Sequence, residues 1–328
     1  MTYSQAPLLK LLSVGKIPGE SGIPQHIETV LSNVFLFNER GYKVYKNDNE
    51  FINKNFGDIS IKKRRFKFSS IDFEWNHQLA GEIYLRLQGV KVDADGIHFV
   101  DNYRDAEELL IVTKRLSLNT SLFAHLRNND LVEDDYYEIG RQFAKCEENF
   151  IWHGDLPKES SLENMLWRHH DVIEWTKDVE MCVPREERET YARQLMNLIK
   201  QVYADGQTHI SVMFDVHCLN AFYINRMFYP FDVVSSKDAW RFGPFLINIY
   251  RLATDVFALV GEQEFRAVLR GYYDCLNRNF PSKETERLLV IYASLIMMPY
   301  LYMLGKTDAD KHKAAIKYHD FLKRYATI

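Results

Sequence analysis

One β-rich stretch inside an otherwise helical region constrains the fold of this chain most. Residues 209–234, HISVMFDVHCLNAFYINRMFYPFDVV, are rich in β-branched and aromatic residues, and Asn225-Arg226 supplies a turn between two strands. From about residue 117 onward, the rest of the chain carries apolar residues at three- and four-residue spacing, which predicts helices. That spacing is clearest in YYEIGRQFAKCEENF, RETYARQLMNLIKQVYA, FLINIYRLATDVFALV and EFRAVLRGYYDCLNR. The second part is therefore predicted to be helical with one inserted hairpin.

The first part of the chain mixes short strands with one helix. NVFLFNERGYKVYK, residues 33–46, has two β-rich runs around the turn-forming stretch 38–41, which is typical of a hairpin. FSSIDFEWNHQLA, residues 68–80, is predicted to form a helix. Residues 98–100 and 108–116 are predicted to be further strands.

These two parts predict an α+β protein of two lobes. At 328 residues the chain is long for a single hydrophobic core, which favours one bilobal unit or two domains. We place the boundary so that residues 1–115 form a small N-terminal sheet lobe with one helix. Residues 116–328 form a larger, mainly helical lobe that contains the hairpin.

The net charge and the cysteine spacing argue against a nucleic-acid-binding protein and against a zinc site. A net charge of −4 provides no general basic field for nucleic acid, and the basic run KKRRFK at 62–67 is expected to be a solvated helix face or turn. The four cysteines lie far apart without metal-ligand spacing, which is typical of free thiols in a cytoplasmic protein rather than of a zinc site. The apolar run near the N-terminus is short and little positive charge precedes it, so it is not expected to be a signal peptide.

One apolar segment has nearly the length of a membrane span. LLVIYASLIMMPYLYML, residues 288–304, carries no charge over 17 residues. Its tyrosines, serine and proline favour a buried core helix that is kinked near Pro299. We therefore expect neither a membrane nor a nucleic acid as a partner.

Two loops could carry a catalytic carboxylate, WHGDLP at 152–157 and FDVHCLN at 214–220. Phosphoryl transfer requires a carboxylate that orients the acceptor hydroxyl, groups that hold a metal ion, and a lysine at the phosphates. In kinase-like loops, an asparagine that binds metal follows the catalytic aspartate by five residues. Asp155 in the first loop does not fit, because Ser160 stands five residues later. The segment from Ser160 to Glu163 is instead typical of a capping box that opens a helix.

Asp215 in the second loop fits the spacing. Asn220 follows it by five residues, and the predicted hairpin then ends at Asp232, twelve residues after Asn220. The alternative is that all three are ordinary turn and strand-end residues, where aspartate and asparagine are common.

Four segments, in the correct order, resemble the aminoglycoside-phosphotransferase-like family of bacterial proteins, which has the protein-kinase-like fold. They match its opening hairpin with a T-x-x-S segment, its helix-to-strand segment, its hinge with the short helix beyond, and its catalytic and metal segments. The four are IETVLSNVFLFNERGYKVYK, WNHQLAGEIYL, VTKRLSLNTSLFAHLRNNDL and DVHCLNAFYINRMFYPFD. The resemblance runs from about residue 27 to 290 and implies a divergent member with the bilobal kinase-like fold.

The resemblance implies ATP and magnesium as cofactors and a role for each candidate residue. Asp215 would be the catalytic base or the orienter of the acceptor hydroxyl. Asn220 and Asp232 would hold magnesium. Ser32 lies in the T-x-x-S segment that replaces a glycine-rich loop, and would bind the nucleotide.

Two lysines match the phosphate-binding lysine of the family strand. Lys43 and Lys46 lie on opposite faces, because strand side chains alternate, so only one can face the nucleotide. The expected hairpin pairing with Val34 favours Lys46. The acidic partner on the following helix would be Asp72, with Glu74 as the alternative.

Two departures from the family pattern leave two functions open. The His-Gly that precedes the catalytic aspartate is here Met213-Phe214, and the usual histidine of the T-x-x-S segment is Val30. Displacing Asp215 by about 1 Å would cost on the order of a hundredfold in rate. The sequence therefore supports an ATP- and magnesium-dependent kinase for a small hydroxylated molecule, or a nucleotide-binding pseudokinase that acts through protein contacts.

A third function, a hydrolase using His153 and Asp155, lacks any accompanying G-x-S-x-G or HExxH motif.

A polycationic acceptor would need a groove lined by carboxylates. The acidic runs at 131–138 and 184–189 are instead expected to be solvated helix faces. The sequence does not identify the acceptor or the oligomeric state.

Overall fold

The chain forms two compact units, and each contains some of the candidate residues. Unit 1 comprises Met1–Ser117 and Pro230–Lys237, and unit 2 comprises Leu118–Tyr229 and Asp238–Ile328. The computed structural model describes residues 4–29, 31–55, 57–148, 163, 185–204, 210–212, 215–233, 242–244 and 247–326. The segment that carries Asp232 thus groups with the N-terminal part of the chain.

The described part of unit 1 is a six-stranded antiparallel sheet with three helices. The strands are β1 Gln25–Glu28, β2 Ser32–Leu36, β3 Arg40–Tyr45, β4 Tyr84–Val92, β5 Ile97–Val100 and β6 Glu108–Lys114, in the order β1-β2-β3-β6-β4-β5. The helices are α1 Ala6–Ser13, α2 Glu50–Asn55 and α3 Lys62–Ala80. The hairpin and the strands predicted for this region are confirmed. Two short helices are present that the sequence did not predict. Segments of six and eight residues are too short for a helical period to be recognised.

Strand β3 lies inside the sheet and is covered on both faces. Tyr42 and Val44 pack with Leu8 and Leu12 of α1 in one apolar cluster. Strand side chains alternate, so Lys43 and Tyr45 point to the opposite face. There the Tyr45 ring packs against Phe68 of α3, with 4.6 Å between ring centroids. A lysine at position 43 is consequently directed into the interior beside α3.

The basic run at 62–67 forms the beginning of α3, and one of its residues is buried. Arg65 is 1% exposed, and its Nη2 lies 2.9 Å from Glu108 Oε2 of β6. The expected solvated helix face is therefore wrong at this position. The reason is helical periodicity: the buried positions of α3 recur at three- and four-residue spacing, and they are Arg65, Phe68, Ser69, Asp72, Asn76 and Ala80.

Unit 2 is mainly helical in its described part, with two short pairs of strands. The helices are α4 Leu122–Asn128, α5 Glu133–Glu148, α6 Arg185–Ala204, α7 Ile247–Leu259, α8 Glu262–Leu276, α9 Lys283–Leu304 and α10 Ala309–Ala326. The strands are β7 Ile210–Val212, β8 Ala221–Ile224, β9 Met227–Pro230 and β10 Phe242–Pro244, which pair β7 with β10 and β8 with β9.

The β8–β9 pair confirms the hairpin predicted inside the helical part of the chain. Its turn is Asn225-Arg226, with φ of 51° and 62°. Two successive residues with positive φ are what a two-residue type I′ hairpin turn requires. The short connection therefore brings the chain directly from the Asp215 loop to Asp232.

The apolar run at 288–304 lies within α9, a helix of 22 residues that is long and apolar enough to cross a membrane by length and composition. Of the most apolar 18-residue stretch of this helix, 72% is buried inside the protein. The prediction of a buried core helix is confirmed by this packing.

Candidate active site

Unit 1 gathers three of the candidate residues around one buried lysine. Lys43 Nζ donates to Asp72 Oδ2 at 3.1 Å and also to Asp232 Oδ1. The side chains of Lys43, Asp72 and Asp232 are 6%, 0% and 33% exposed. Burial alone would lower the pKa of Lys43, but the two carboxylates outweigh it and the pKa is raised. The cluster therefore holds a fixed positive charge, and its three charges sum to −1 when all are ionised.

Asp72 is the buried acid of this cluster, and three donors surround its carboxylate. Besides Lys43, the hydroxyl of Tyr45 donates to Oδ2, and Asn76 Nδ2 donates to Oδ1 at 2.5 Å. Burial raises the pKa of Asp72, and Lys43 and the hydroxyl of Tyr45 only partly offset that rise. Glu74, the alternative partner, is exposed on α3.

Asp232 occupies a turn that neighbouring side chains hold in place. Its φ is 55°, in the left-handed region, which is uncommon for residues other than glycine. The N–H of Asp232 donates to the Tyr84 hydroxyl at 2.8 Å, and the N–H of Val233 donates to Asn76 Oδ1 at 3.0 Å. The turn carries a carboxylate oxygen, a ligand type that magnesium prefers, so the residue fits a metal role.

Lys46 lies elsewhere, and the pairing with Val34 that was expected for it is wrong. The β2–β3 pairing places Val34 opposite Lys43, not Lys46. The hairpin closes with the Phe37 N–H donating to Arg40 O, so its tip is Asn38-Glu39, earlier than the middle of the predicted turn stretch. A small slip of register exchanges the faces to which strand side chains point.

Lys46 instead supports the T-x-x-S segment. Its Nζ donates to Glu28 Oε1 and to Thr29 O, both at 2.7 Å, and its N–H donates to Leu31 O at 2.9 Å. Lys46 thus anchors the turn that begins at Thr29 rather than facing Asp72.

Ser32 lies at the end of the same turn and is buried. The Ser32 N–H donates to Thr29 Oγ1 at 2.8 Å, the Thr29 N–H donates to Ser32 O at 2.8 Å, and the two hydroxyl oxygens are 2.9 Å apart. The hydroxyl of Ser32 is therefore engaged within the turn, which it helps to shape. Val30, in the same segment, lies outside the described residues.

Unit 2 holds Asp215 next to a buried arginine. Arg251 of α7 is 3% exposed, and its Nη2 contacts Asp215 Oδ1, while His217 Nε2 lies 3.8 Å from Asp215 Oδ2. Burial tends to raise the pKa of Asp215, but Arg251 and His217 outweigh it and the pKa is lowered. Asp215, whose side chain is 37% exposed, is therefore an ionised hydrogen-bond acceptor at neutral pH.

The loop that follows Asp215 is held by two further side chains. Asp255 of α7 is fully buried and accepts the N–H of Cys218 and the hydroxyl of Tyr318. Asn220 Nδ2 donates to Asp215 O at 3.1 Å, five residues back along the chain. This bond orients the amide group, so its oxygen Oδ1 is the atom able to bind a cation.

Arg251 and Asp255 were not identified from the sequence, although a signal was present. They stand four residues apart in the apolar segment FLINIYRLATDVFALV, and both are buried. Opposite charges one turn apart on a buried helix indicate polar partners within the core. Here those partners are Asp215 for the arginine and the backbone at Cys218 for the aspartate.

Several predicted positions lie outside the described residues. They are His153 and Asp155 of the WHGDLP segment, the capping serines Ser160 and Ser161, and the Met213-Phe214 pair that precedes Asp215. The choice between the two loops consequently rests on the spacing argument.

Comparison with known proteins shows the fold. No protein-family model matches the chain, and no curated protein matches it. Among solved structures, it is similar to a choline/ethanolamine kinase family protein from Mesorhizobium loti, with a TM-score of 0.53, 11% identity, and coverage of 97% of this chain and 93% of that one.

Two other solved structures have slightly lower TM-scores. A glucosamine kinase has a TM-score of 0.50 at 11% identity, and the match covers 93% of this chain and 76% of that one. A candidate aminoglycoside phosphotransferase from Ralstonia eutropha has a TM-score of 0.50 at 9% identity, covering 99% of this chain and 98% of that one. The chain therefore has the protein-kinase-like fold of the aminoglycoside-phosphotransferase-like proteins, as the sequence resemblance implied.

Proposed function

We propose that the protein is an ATP- and magnesium-dependent phosphotransferase that acts on a hydroxyl group of a small molecule in the cytoplasm. The observation that carries the proposal is the buried Lys43, which contacts both a helix carboxylate, Asp72, and the carboxylate of Asp232. A lysine for phosphates, an acid that orients it, and a carboxylate for the metal are parts that kinases require. The fold shared with kinases and phosphotransferases supports the same class of reaction.

In unit 1, Lys43 would bind phosphate oxygens and Asp72 would hold the lysine in place. Asp232 would hold magnesium through its carboxylate, since the summed charge of −1 in this cluster favours an added cation. Magnesium, when bound, supplies positive charge that offsets the charge of the transferring phosphoryl group.

In unit 2, Asp215 would orient the acceptor hydroxyl by accepting its hydrogen bond. Its lowered pKa makes it a weak base, and a loose phosphoryl-transfer transition state requires little proton abstraction at an early stage. Asn220 would offer its amide oxygen to magnesium, a role that rests on the resemblance. Ser32 would shape the turn over the nucleotide.

The second candidate function is a pseudokinase that binds nucleotide or protein partners with little or no phosphoryl transfer. Met213-Phe214 in place of His-Gly favours it, as does the engagement of Asp215 Oδ1 by Arg251. The two functions differ in turnover rather than in nucleotide binding.

Thermal unfolding with ATP, with and without magnesium, tests the nucleotide site. A ligand that binds only the native state raises the midpoint by mass action, and a rise of about 5 °C is expected at roughly a hundred times the Kd. The rise should be larger with magnesium than without it. Absence of any rise at millimolar ATP would contradict the proposal, whereas a rise without turnover on any hydroxylated acceptor would favour the pseudokinase.

Substitutions of Lys43 and Lys46 should have very different effects on nucleotide binding. Lys43→Met is expected to weaken ATP binding about 10- to 100-fold, because charge-assisted hydrogen bonds to phosphate are lost. Lys46→Met, which removes a lysine bonded to Glu28 and Thr29, should change the affinity much less. Calorimetric titration well below each variant's unfolding midpoint measures both, and a larger loss in Lys46→Met would contradict the assignment of Lys43.

A further inference from the structure

The turn at Asp232 is held by two side chains that the proposed roles do not use. We propose that Tyr84, together with Asn76, is a positioning residue that holds the Asp232 carboxylate in place for magnesium. This inference rests on the proposed metal-binding role of Asp232. It concerns residues of unit 1 alone.

The backbone at Asp232 needs such support. A non-glycine residue with φ of 55° occupies a sparsely populated conformation, which persists where the surrounding structure holds it. Asp232 is part of the short second segment of unit 1, Pro230–Lys237, which begins at the last residue of β9. The direction of its carboxylate depends on what fixes this backbone.

Two consecutive N–H groups of the turn donate to side-chain oxygens from two different elements. Tyr84, the first residue of β4, accepts the N–H of Asp232 at 2.8 Å, and Asn76 of α3 accepts the N–H of Val233 at 3.0 Å. Both acceptors are fully buried. The Tyr84 ring also packs against Phe231, with 5.3 Å between ring centroids. The turn is thereby tied to the sheet and to the helix at once.

Asn76 connects this turn with the acid that holds Lys43. Its Nδ2 donates to Asp72 Oδ1 at 2.5 Å and to Asp72 O at 2.7 Å. With the amide nitrogen committed to Asp72, the amide oxygen must face the N–H of Val233. Asn76 therefore sets the positions of Asp72, the partner of Lys43, and of the turn that carries the Asp232 carboxylate relative to each other.

Removing a side chain that orients a metal ligand in this way commonly lowers the affinity for the metal. Tyr84→Phe deletes only the hydroxyl that accepts the Asp232 N–H and retains the ring that packs on Phe231. Tyr42→Phe is the matched control: Tyr42 is equally buried in the same sheet, and its hydroxyl donates to Glu20 Oε1 at 2.7 Å, away from Asp232. Each variant loses one tyrosine hydroxyl bond in unit 1.

The experiment is calorimetric titration of the full chain with ATP at a series of magnesium concentrations, and with ATP in the presence of EDTA. For Tyr84→Phe, we expect the magnesium concentration that gives half-maximal tightening of ATP binding to rise on the order of tenfold. Metal-free ATP binding should stay as in the wild type. If Tyr84 only stabilised the fold, Tyr84→Phe would not change the magnesium requirement while leaving metal-free ATP binding unchanged.

Three outcomes distinguish the inference from the proposed function. A magnesium requirement that shifts in Tyr84→Phe but not in Tyr42→Phe supports the positioning role. Equal magnesium requirements in the wild type and both variants overturn it and leave the proposed function standing. A wild-type protein whose ATP binding does not respond to magnesium overturns the proposed role of Asp232, and the inference with it.

Discussion

Replacing Asp232 with asparagine is expected to abolish the magnesium-dependent part of ATP binding while unit 1 stays folded. The substitution removes the negative charge that contacts Lys43 and would hold the metal. Asparagine tolerates the left-handed backbone at φ 55°, and the backbone N–H that donates to Tyr84 is retained. Calorimetric titration with ATP, with and without magnesium, should therefore give the same weak affinity in both conditions.

Asp93→Asn provides the matched control for this experiment. Asp93 directly follows β4 in the same unit, with 57% of its side chain exposed, and its carboxylate contacts His98. The magnesium response of this variant should equal that of the wild type. Asp155→Asn should also retain it. A magnesium response that survives Asp232→Asn and disappears in Asp155→Asn would move the site to the WHGDLP segment.

Breaking the buried Arg65–Glu108 pair is expected to have the largest effect on stability. Both side chains are 1% exposed, and Arg65 Nε lies 3.1 Å and 3.0 Å from the two carboxylate oxygens. Gln5 Nε2 adds a third donor to Glu108 Oε2 at 2.6 Å. Arg65→Met should lower the free energy of unfolding by about 3–5 kcal/mol, because it leaves Glu108 buried without its counter-charge.

The double variant Arg65→Met with Glu108→Leu should regain a large part of that loss, since neither charge then remains buried. Arg64→Ala is the neighbouring control. Arg64 is 63% exposed and 3.8 Å from Asp58, so its removal should change the free energy of unfolding by less than about 0.5 kcal/mol. Urea unfolding measures all of these variants together with the single variant Glu108→Leu. A double variant as unstable as the sum of its singles would contradict an interaction between the two charges.

Local patterns in the sequence predicted most of the elements. Turn conformations, apolar spacing and β-branched runs act over short range. They predicted the hairpin turn at Asn225-Arg226, the periodic helices of unit 2 and the C-terminal part of α3, residues 68–80. The spacing from Asp215 to Asn220 and Asp232 is likewise local, and it identified the loop and hairpin as candidates. The kinase-like fold followed from four such segments in order.

Local sequence patterns do not determine contacts between distant segments. The choice between Lys43 and Lys46 depends on where the β2–β3 hairpin turns, and a small shift of that turn exchanges the faces of the strand. Arg65 belongs to a basic run that looks solvated, yet its partner Glu108 is 43 residues away. Gln5 reaches the same carboxylate from 103 residues away.

The sequence by itself determined the kinase-like order of elements, the hairpin that leads to Asp232 and the residue types from which a phosphate and metal site can be built. Only the tertiary structure decided that Lys43 contacts both Asp72 and Asp232, that Tyr84 and Asn76 support the turn at Asp232, and that Arg251 engages Asp215. The physical reason is that side-chain periodicity and turn chemistry act over a few neighbouring residues. Which charged groups share a buried space depends on strand register and on how helices pack over a sheet.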